Sequence, residues 1–388
     1  MSGIESMASL NDADLVREVM SKLSGSGASS SSMISYAAAF LSPNWQGNSK
    51  LAMTTLAKSL IEGIKGADFE RVAIDILTKI KDHHHSTPFD EADFLLREAL
   101  FQWMCECERF HEAATVLSQV NVGSQTRVFS SEEKADIYIK CAEACLEDDQ
   151  SVDAEVMSNK ASGLMNAIDD PALMLRYKVT HARVLDSNRK FLDAAMKYHD
   201  VSKVSNMDVD ANDLIELLGK AVTCTLLAKA GPQRSRFMGL LYKDERIQSL
   251  EQVPHMSSHA AVLAKMYTEQ FLQVGELKAF EDSLMAHQKA TTAEGYSIME
   301  KAMMEHNMHA AGKIYDNIRV EELGHLLKMS GPQAEKMAAK MISEGRLRAS
   351  IDQVEGILEF QEDVDPIKGW DERIEDVCGE ISRCIATK

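Results

Sequence analysis

The sequence predicts a mostly all-α chain. A tetratricopeptide-like helical-repeat array, wound as a right-handed solenoid, leads into a winged-helix subdomain with a small β-hairpin and then a C-terminal amphipathic helix. Three observations predict it. The first is composition: 388 residues include 7 prolines and 22 methionines, with aromatics at 6%, a balance that favours helix over sheet. The second is a repeat. Phe110-His111-Glu112-Ala113-Ala114 and Phe191-Leu192-Asp193-Ala194-Ala195 share a pattern, and Val152-Asp153-Ala154 lies between them, so that Ala113, Ala154 and Ala194 stand 41 and 40 residues apart. The third is the stretch Ile298 to Gln361. It reads as helices, a Ser330-Gly331-Pro332 turn, a helix to Glu344, and a two-stranded hairpin from Gly345–Asp352 and Gly356–Phe360.

Four segments follow in order: 1–50, a variable and partly flexible N-terminal segment; 51–295, the helical-repeat arm; 296–361, the winged-helix part; and 362–388, the last helix. Asp12 to Leu23 reads as a short helix, and Ser24 to Ser32 as a Gly/Ser linker. Leu51, Leu56, Leu60, Ile61 and Ile64 share one helical face, and Phe69 to Ile80 is the partner helix. In the repeat, each marked alanine opens a helix that follows another: Phe94–Glu106, Ala135–Leu146 and Leu173–Leu185. A small residue there lets two backbones approach. Each pair leaves an apolar face that the next pair must cover, which is why the pairs stack.

Asp210 to Ala230 is a further helix, stopped by Gly231-Pro232. Arg234, Arg236, Lys243 and Arg246 then make a local basic cluster. It reads as a solvated face neutralised by Asp244 and Glu245 rather than as an anion site. Helices continue through His259–Leu272 and Leu277–His287. After Phe360, Asp365 is the expected N-cap of the last helix and Pro366 its first residue. Ile367, Trp370, Ile374, Val377, Ile381 and Ile385 recur at spacings of 3, 4, 3, 4 and 4. That is a narrow coiled-coil-like seam on a charged helix, and it needs a partner.

A net charge of −18 argues against a phosphate-tracking nucleic-acid binder and against a polybasic membrane contact. No long apolar run and no apolar leader occur, so neither a membrane span nor a signal peptide is expected. Seven cysteines without a pairing framework fit a reducing compartment, cytoplasm or nucleus. His83-His84-His85 contains an H-x-H, as in the metalloproteases that cleave isopeptide bonds. Those enzymes also carry Ser and Asp eight and eleven residues on, where this chain has Asp93 and Leu96. The histidines therefore read as a polar loop. His306 and His309 lack the glutamate and spacing of a zinc helix. Cys105, Cys107, Cys141 and Cys145 lack partners at zinc-finger spacing and read as small core residues. No phosphate loop, dinucleotide fingerprint or nucleophile elbow is present. No catalytic residue, cofactor or metal is expected.

The winged-helix stretch invites comparison with DNA readers, whose second helix enters the major groove. Over 331–361, however, four basic residues (Lys336, Lys340, Arg346, Arg348) face five acidic ones. Met337, Met341, Leu347, Ile351 and Leu358 read as its internal core. The hairpin edge is left for another protein's strand, with Arg346, Arg348, Ser350, Asp352, Leu358 and Phe360 as candidate assembly residues.

Several words of the sequence support a family resemblance. They include Glu305-His306-Asn307, Ala310 to Ile318, Glu322-Leu323-Gly324, Ala334-Glu335-Lys336 and Ser350-Ile351-Asp352-Gln353. Upstream, Ala221 to Thr225, Ala230 to Arg236, Leu241 to Arg246, Arg189 to Ala195 and His287 to Ala290 add to them. Together they resemble the PCI-domain family, the scaffold subunits of the proteasome lid, of translation initiation factor three and of the COP nine signalosome, and are most similar to the signalosome branch. The resemblance covers roughly 130–388 and fades before about 100. It implies a non-catalytic scaffold and substrate-sensing subunit of the complex that deneddylates cullins, with the zinc site on another, metalloprotease-fold subunit. The implied partners are other PCI and metalloprotease-fold subunits and cullin-RING ubiquitin ligases, in cytoplasm and nucleus, with no nucleic acid and no membrane. A proteasome-lid scaffold is the alternative.

Overall fold

The computed structural model describes residues 30–42, 48–64, 66–82, 89–124, 126–204, 209–253, 255–272, 274–292, 295–361 and 366–386, with residues 14 and 17. Its contacts group into two compact units, Met1–Asn188 and Arg189–Lys388.

The first unit is a series of helices: α1 (Ser30–Phe40), α2 (Ser49–Gly63), α3 (Ala67–Asp82), α4 (Asp90–Glu106), α5 (Phe110–Ser118), α6 (Ser131–Glu147), α7 (Ser151–Ser162) and α8 (Pro171–Ser187). The expected pair over 51–80 is present as α2 and α3. Helix α1 was not expected. It begins inside the stretch read as linker, at Ser30, and Met33, Ala37 and Phe40 are buried at helical spacing. The rest of that linker, and all of the Asp12–Leu23 helix but residues 14 and 17, lie outside the described residues.

The repeat is present at the predicted alanines. Ala113, Ala154 and Ala194 are fully buried; at Ala113 and Ala154, where α5 packs on α4 and α7 on α6, a larger side chain would push the paired backbones apart. The turns repeat too. Glu108, Asp149 and Arg189 have φ of 59°, 56° and 59°, the left-handed conformation that ends a helix and reverses the chain. The Arg109 amide then donates to the Met104 carbonyl and the Gln150 amide to the Cys145 carbonyl, both at 2.9 Å. Consecutive helices pack from α4 through α8. An ion-pair ladder crosses the first helices of successive pairs. Lys140 on α6 reaches Glu98 on α4 and Asp136, each at 2.8 Å, and Arg176 on α8 reaches Asp136 at 2.8 Å and also bonds Glu143. Cys141 and Cys145 face the core, and burial pushes their thiols up to about 12 and about 11. Cys107 is exposed and so departs from the core reading given to it.

The second unit holds α9 (Phe191–Ser202), α10 (Ala211–Leu227), α11 (Pro232–Tyr242), α12 (His259–Tyr267), α13 (Val274–Asp282) and α14 (Ile298–Ile314). There follow β1 (Asn317–Arg319), α15 (Val320–Leu327), α16 (Gly331–Ser343), β2 (Ala349–Asp352), β3 (Ile357–Phe360) and α17 (Pro366–Ala386). The winged helix is α15, α16 and the sheet. Ser330 and Gln333 form a reciprocal capping box at the start of α16. Gly324 lets α15 meet the turn, since a Cβ there would lie 2.9 Å from the Met329 carbonyl oxygen. The sheet has three strands rather than two, in the antiparallel order β1-β3-β2. Ile318 and Ile351 both face Leu358 across the ladder. Strand β1 escapes sequence reading because it is only three residues long and sits between two helices.

Replacing Ala154 by Leu is expected to cost about 1–3 kcal/mol through overpacking, read as a lower urea midpoint. Replacing exposed Val152 by Ala should move the midpoint by less than about 0.5 kcal/mol. Equal effects would contradict the backbone-contact role of the alanine.

Candidate functional site

The second unit is built around α14. Ser297 and Glu300 cap its start reciprocally, and its side chains are buried almost all round: Met299, Met303, Met304, Met308, Ala310 and Ala311. A helix that is apolar on every face belongs in an interior. Yet its middle carries three consecutive polar residues, Glu305, His306 and Asn307, all buried. Burying such groups is costly unless each finds a partner.

Each finds one far away in sequence. Glu305, 2% exposed, accepts two hydrogen bonds from the Arg346 guanidinium, at 2.6 and 3.3 Å, and one from the Ala230 amide at 3.2 Å. Arg346 also donates to the Ala230 carbonyl and pairs with Glu344 at 2.7 Å. Burial works to lower the Arg346 pKa, but Glu305 and Glu344 outweigh it and raise the value. His306 donates through Nε2 to the Gln270 carbonyl at 3.0 Å. The Asn307 amide accepts from the Leu272 N–H at 3.0 Å and donates to the Leu272 carbonyl at 3.1 Å. One turn of α14 therefore holds the ends of α10 and α12 and the turn that leads into β2.

Arg234 completes this centre and corrects the solvated-face reading. It is 2% exposed. Its guanidinium donates to the Thr225 and Leu226 carbonyls, each at 3.0 Å, satisfying the carbonyls left open where Gly231-Pro232 ends α10. Burial lowers its pKa to about 10, against the opposing pull of Glu305. Arg246 is held by Asp244 at 2.7 Å. The four basic residues thus do not converge on an anion.

The six candidate hairpin residues divide. Leu358 is buried on the central strand, and Phe360, on the same strand, packs on Gly312 of α14, where a Cβ would lie 2.8 Å from its ring. Arg346 turns inward onto Glu305. Leu358 and Phe360 are therefore not presented on a sheet edge, because the third strand makes β3 interior, and Arg346 is taken up by its pair with Glu305. Arg348, Ser350 and Asp352 are exposed. On α17, Trp370, Ile374, Val377 and Ile381 are between 53% and 70% exposed. The side chains of Ile367 and Ile385, and the Asp365 cap, lie outside the described residues.

His306 is buried and His309 half-buried, and burial lowers both pKa values, that of His306 to about 4. Among the described residues no group of His, Cys, Asp and Glu is placed to hold a metal ion, and no helix is long and apolar enough to cross a membrane. His83, His84 and His85 lie outside the described residues. Sequence reading singled out the hairpin and missed the Glu305–Arg346 centre. The available signal was a polar triplet amid the methionines of a uniformly apolar helix.

Removing Glu305 as Ala should cost about 1–3 kcal/mol, because half-buried Arg346 loses one of its two carboxylates and the Ala230 amide loses its acceptor. A double-mutant cycle with Arg346→Ala should show the two losses to be strongly non-additive; simple additivity would contradict a direct pair. Acid provides a second test. The folded His306 pKa of about 4 lies below the value of about 6.5 of a free histidine, so the unfolded chain takes the proton first. Stability present above that value is lost as the pH falls from about 6.5 toward about 4. Replacing His306 by Gln should flatten that fall, as measured by urea midpoints across the range.

Comparison with known proteins agrees with this architecture. The family model described as PSMD12/CSN4, N-terminal, matches residues 17–210, and the PCI domain model matches residues 277–362. The likeness therefore does not fade before residue 100 but includes the first helices. COP9 signalosome complex subunit 4 of Arabidopsis thaliana is 40% identical over 299 residues, covering 76% of this chain and 74% of its own length. The protein of the same name from Drosophila melanogaster is 41% identical over 278 residues, covering 72% and 66%. That of Dictyostelium discoideum is 35% identical over 335 residues, covering 86% and 81%. The chain belongs to the PCI-domain family of COP9 signalosome complex subunit 4 proteins.

Proposed function

We propose that this chain is a non-catalytic scaffold and substrate-sensing subunit of the COP9 signalosome. The observation that carries the reading is the likeness to signalosome subunit 4 over most of the chain. The geometry is consistent with it. Glu305, Arg346 and Arg234 hold helices together, and the last helix leaves a row of apolar side chains, Trp370, Ile374, Val377 and Ile381, uncovered.

In this reading the isopeptide-cleaving zinc site belongs to a metalloprotease-fold subunit. This chain's partners are that subunit, other PCI subunits and cullin-RING ubiquitin ligases, in cytoplasm and nucleus. The helical-repeat segment, 51–295, reaches toward the ligase, and the winged helix, 296–361, meets neighbouring PCI subunits through Ser350 and Asp352 on the outer strand and Arg348 just before it. The α17 seam joins a bundle with the last helices of other subunits. The complex removes the ubiquitin-like modifier from cullins, and this chain holds the parts and registers the substrate. A proteasome-lid role is the second reading, favoured only by the N-terminal family model, whose description names two proteins.

Affinity purification of the tagged chain should bring down signalosome subunits and cullin-deneddylating activity; recovery of proteasome subunits instead would overturn the assignment. Trp370→Asp with Ile374→Asp changes only exposed positions. The pair should leave the isolated chain folded but remove it from the large complex on gel filtration. Unchanged co-migration would refute the fastening role of the seam.

A further inference from the structure

Beside the Glu305–Arg346 pair lie two clefts, of about 810 and about 620 Å³, that share Lys301, Glu305 and Arg346 in their walls. The larger runs past the start of α9 and the Gly231-Pro232 turn; the smaller runs along α16. Together they are lined by eight basic side chains against three acidic ones, Asp193, Glu305 and Glu344. Two of those three acids are paired with Arg346 and Arg234 is buried on backbone carbonyls, which leaves six further basic side chains against Asp193. In a chain of net charge −18 this is a local reversal of sign.

Arg189, Lys229 and Lys336 are exposed on the rim, while Ile298, Ala302 and Met337 give the floor an apolar character. Arg189 and Lys229 line the larger cleft and Lys336 the smaller, and exposed charge in both suits a chain of carboxylates better than a single small anion. The combined size exceeds what an isolated ion fills and matches a pocket for a larger ligand.

We propose that this double cleft receives an acidic, extended segment of a partner protein. Its carboxylates meet Arg189, Lys229 and Lys336, and its apolar side chains lie on the floor. Complementary charge of this kind chiefly sets partner choice and the rate of encounter. The proposal concerns a surface apart from the α17 seam and the β2 edge.

The test uses the purified full chain and a short fluorescein-labelled peptide in which Asp and Glu alternate with Leu and Phe, followed by fluorescence polarisation. The acidic peptide should bind at low salt, with an affinity that falls as salt rises. A peptide with the acids replaced by Lys should not bind. Lys229→Glu combined with Lys336→Glu should weaken binding about tenfold, on the scale of a few exposed ion pairs, with an unchanged thermal melt. Equal binding by that variant, equal binding of the Lys peptide, or tighter binding of a single-stranded oligonucleotide that displaces the peptide would each overturn the proposal. The variant should still enter the large complex, so loss of peptide binding is separable from loss of scaffold function.

Discussion

A buried carboxylate with one well-placed cation is the interaction on which the second unit depends. Glu305 sits buried in the middle of a helix, and Arg346 arrives from more than forty residues away to neutralise it. The remaining acceptor capacity of Glu305 is used by the Ala230 amide. Because charge, hydrogen bonds and burial must all be satisfied together, the position of one group fixes the others. Asn307 and His306 extend the same logic to Leu272 and Gln270. Apolar packing alone would let helices slide by fractions of a turn. These polar contacts each accept only one register, which is the use of buried polar groups with the best physical support.

The first unit solves its packing problem differently. Its register comes from repetition: a buried alanine where two helices touch, a left-handed residue at the reversal, and ion pairs linking one first helix to the next. None of these is expensive alone. Exposed and half-exposed ion pairs add little each, and the main contribution is the continuous core that successive pairs bury. The contrast between the units is one of register set by repetition against register set by buried polar contacts.

Much of this was legible in sequence because it is local. Alanines at 113, 154 and 194, spaced by 41 and 40, mark buried helix starts, the 3-and-4 recurrence of Trp370, Ile374, Val377 and Ile381 marks an exposed seam, and Ser330-Gly331-Pro332 marks a helix start. What was not legible depends on residues distant in the chain. Arg234 looks like a surface charge until the open carbonyls of α10 are seen to end beside it. Leu358 and Phe360 look like an edge until Asn317–Arg319 pairs on the far side of β3. Arg346 looks like a hairpin residue until Glu305 is found buried opposite it. For Leu358, Phe360 and Arg346 the deciding partner lies about forty residues away, and for Arg234 it lies eight and nine residues away on the preceding helix, across a turn; periodicity carries no information on either.

The central claim is that Glu305 fastens the winged helix to the helices before it. Amide hydrogen exchange on the Glu305→Ala chain tests it directly. The account predicts that the Ala230 region and the Gly345–Ala349 turn lose protection together, while α15 and α16, which hold each other through their own core, keep theirs. Loss of protection confined to α14 itself, with Ala230 and the turn unchanged, would contradict it.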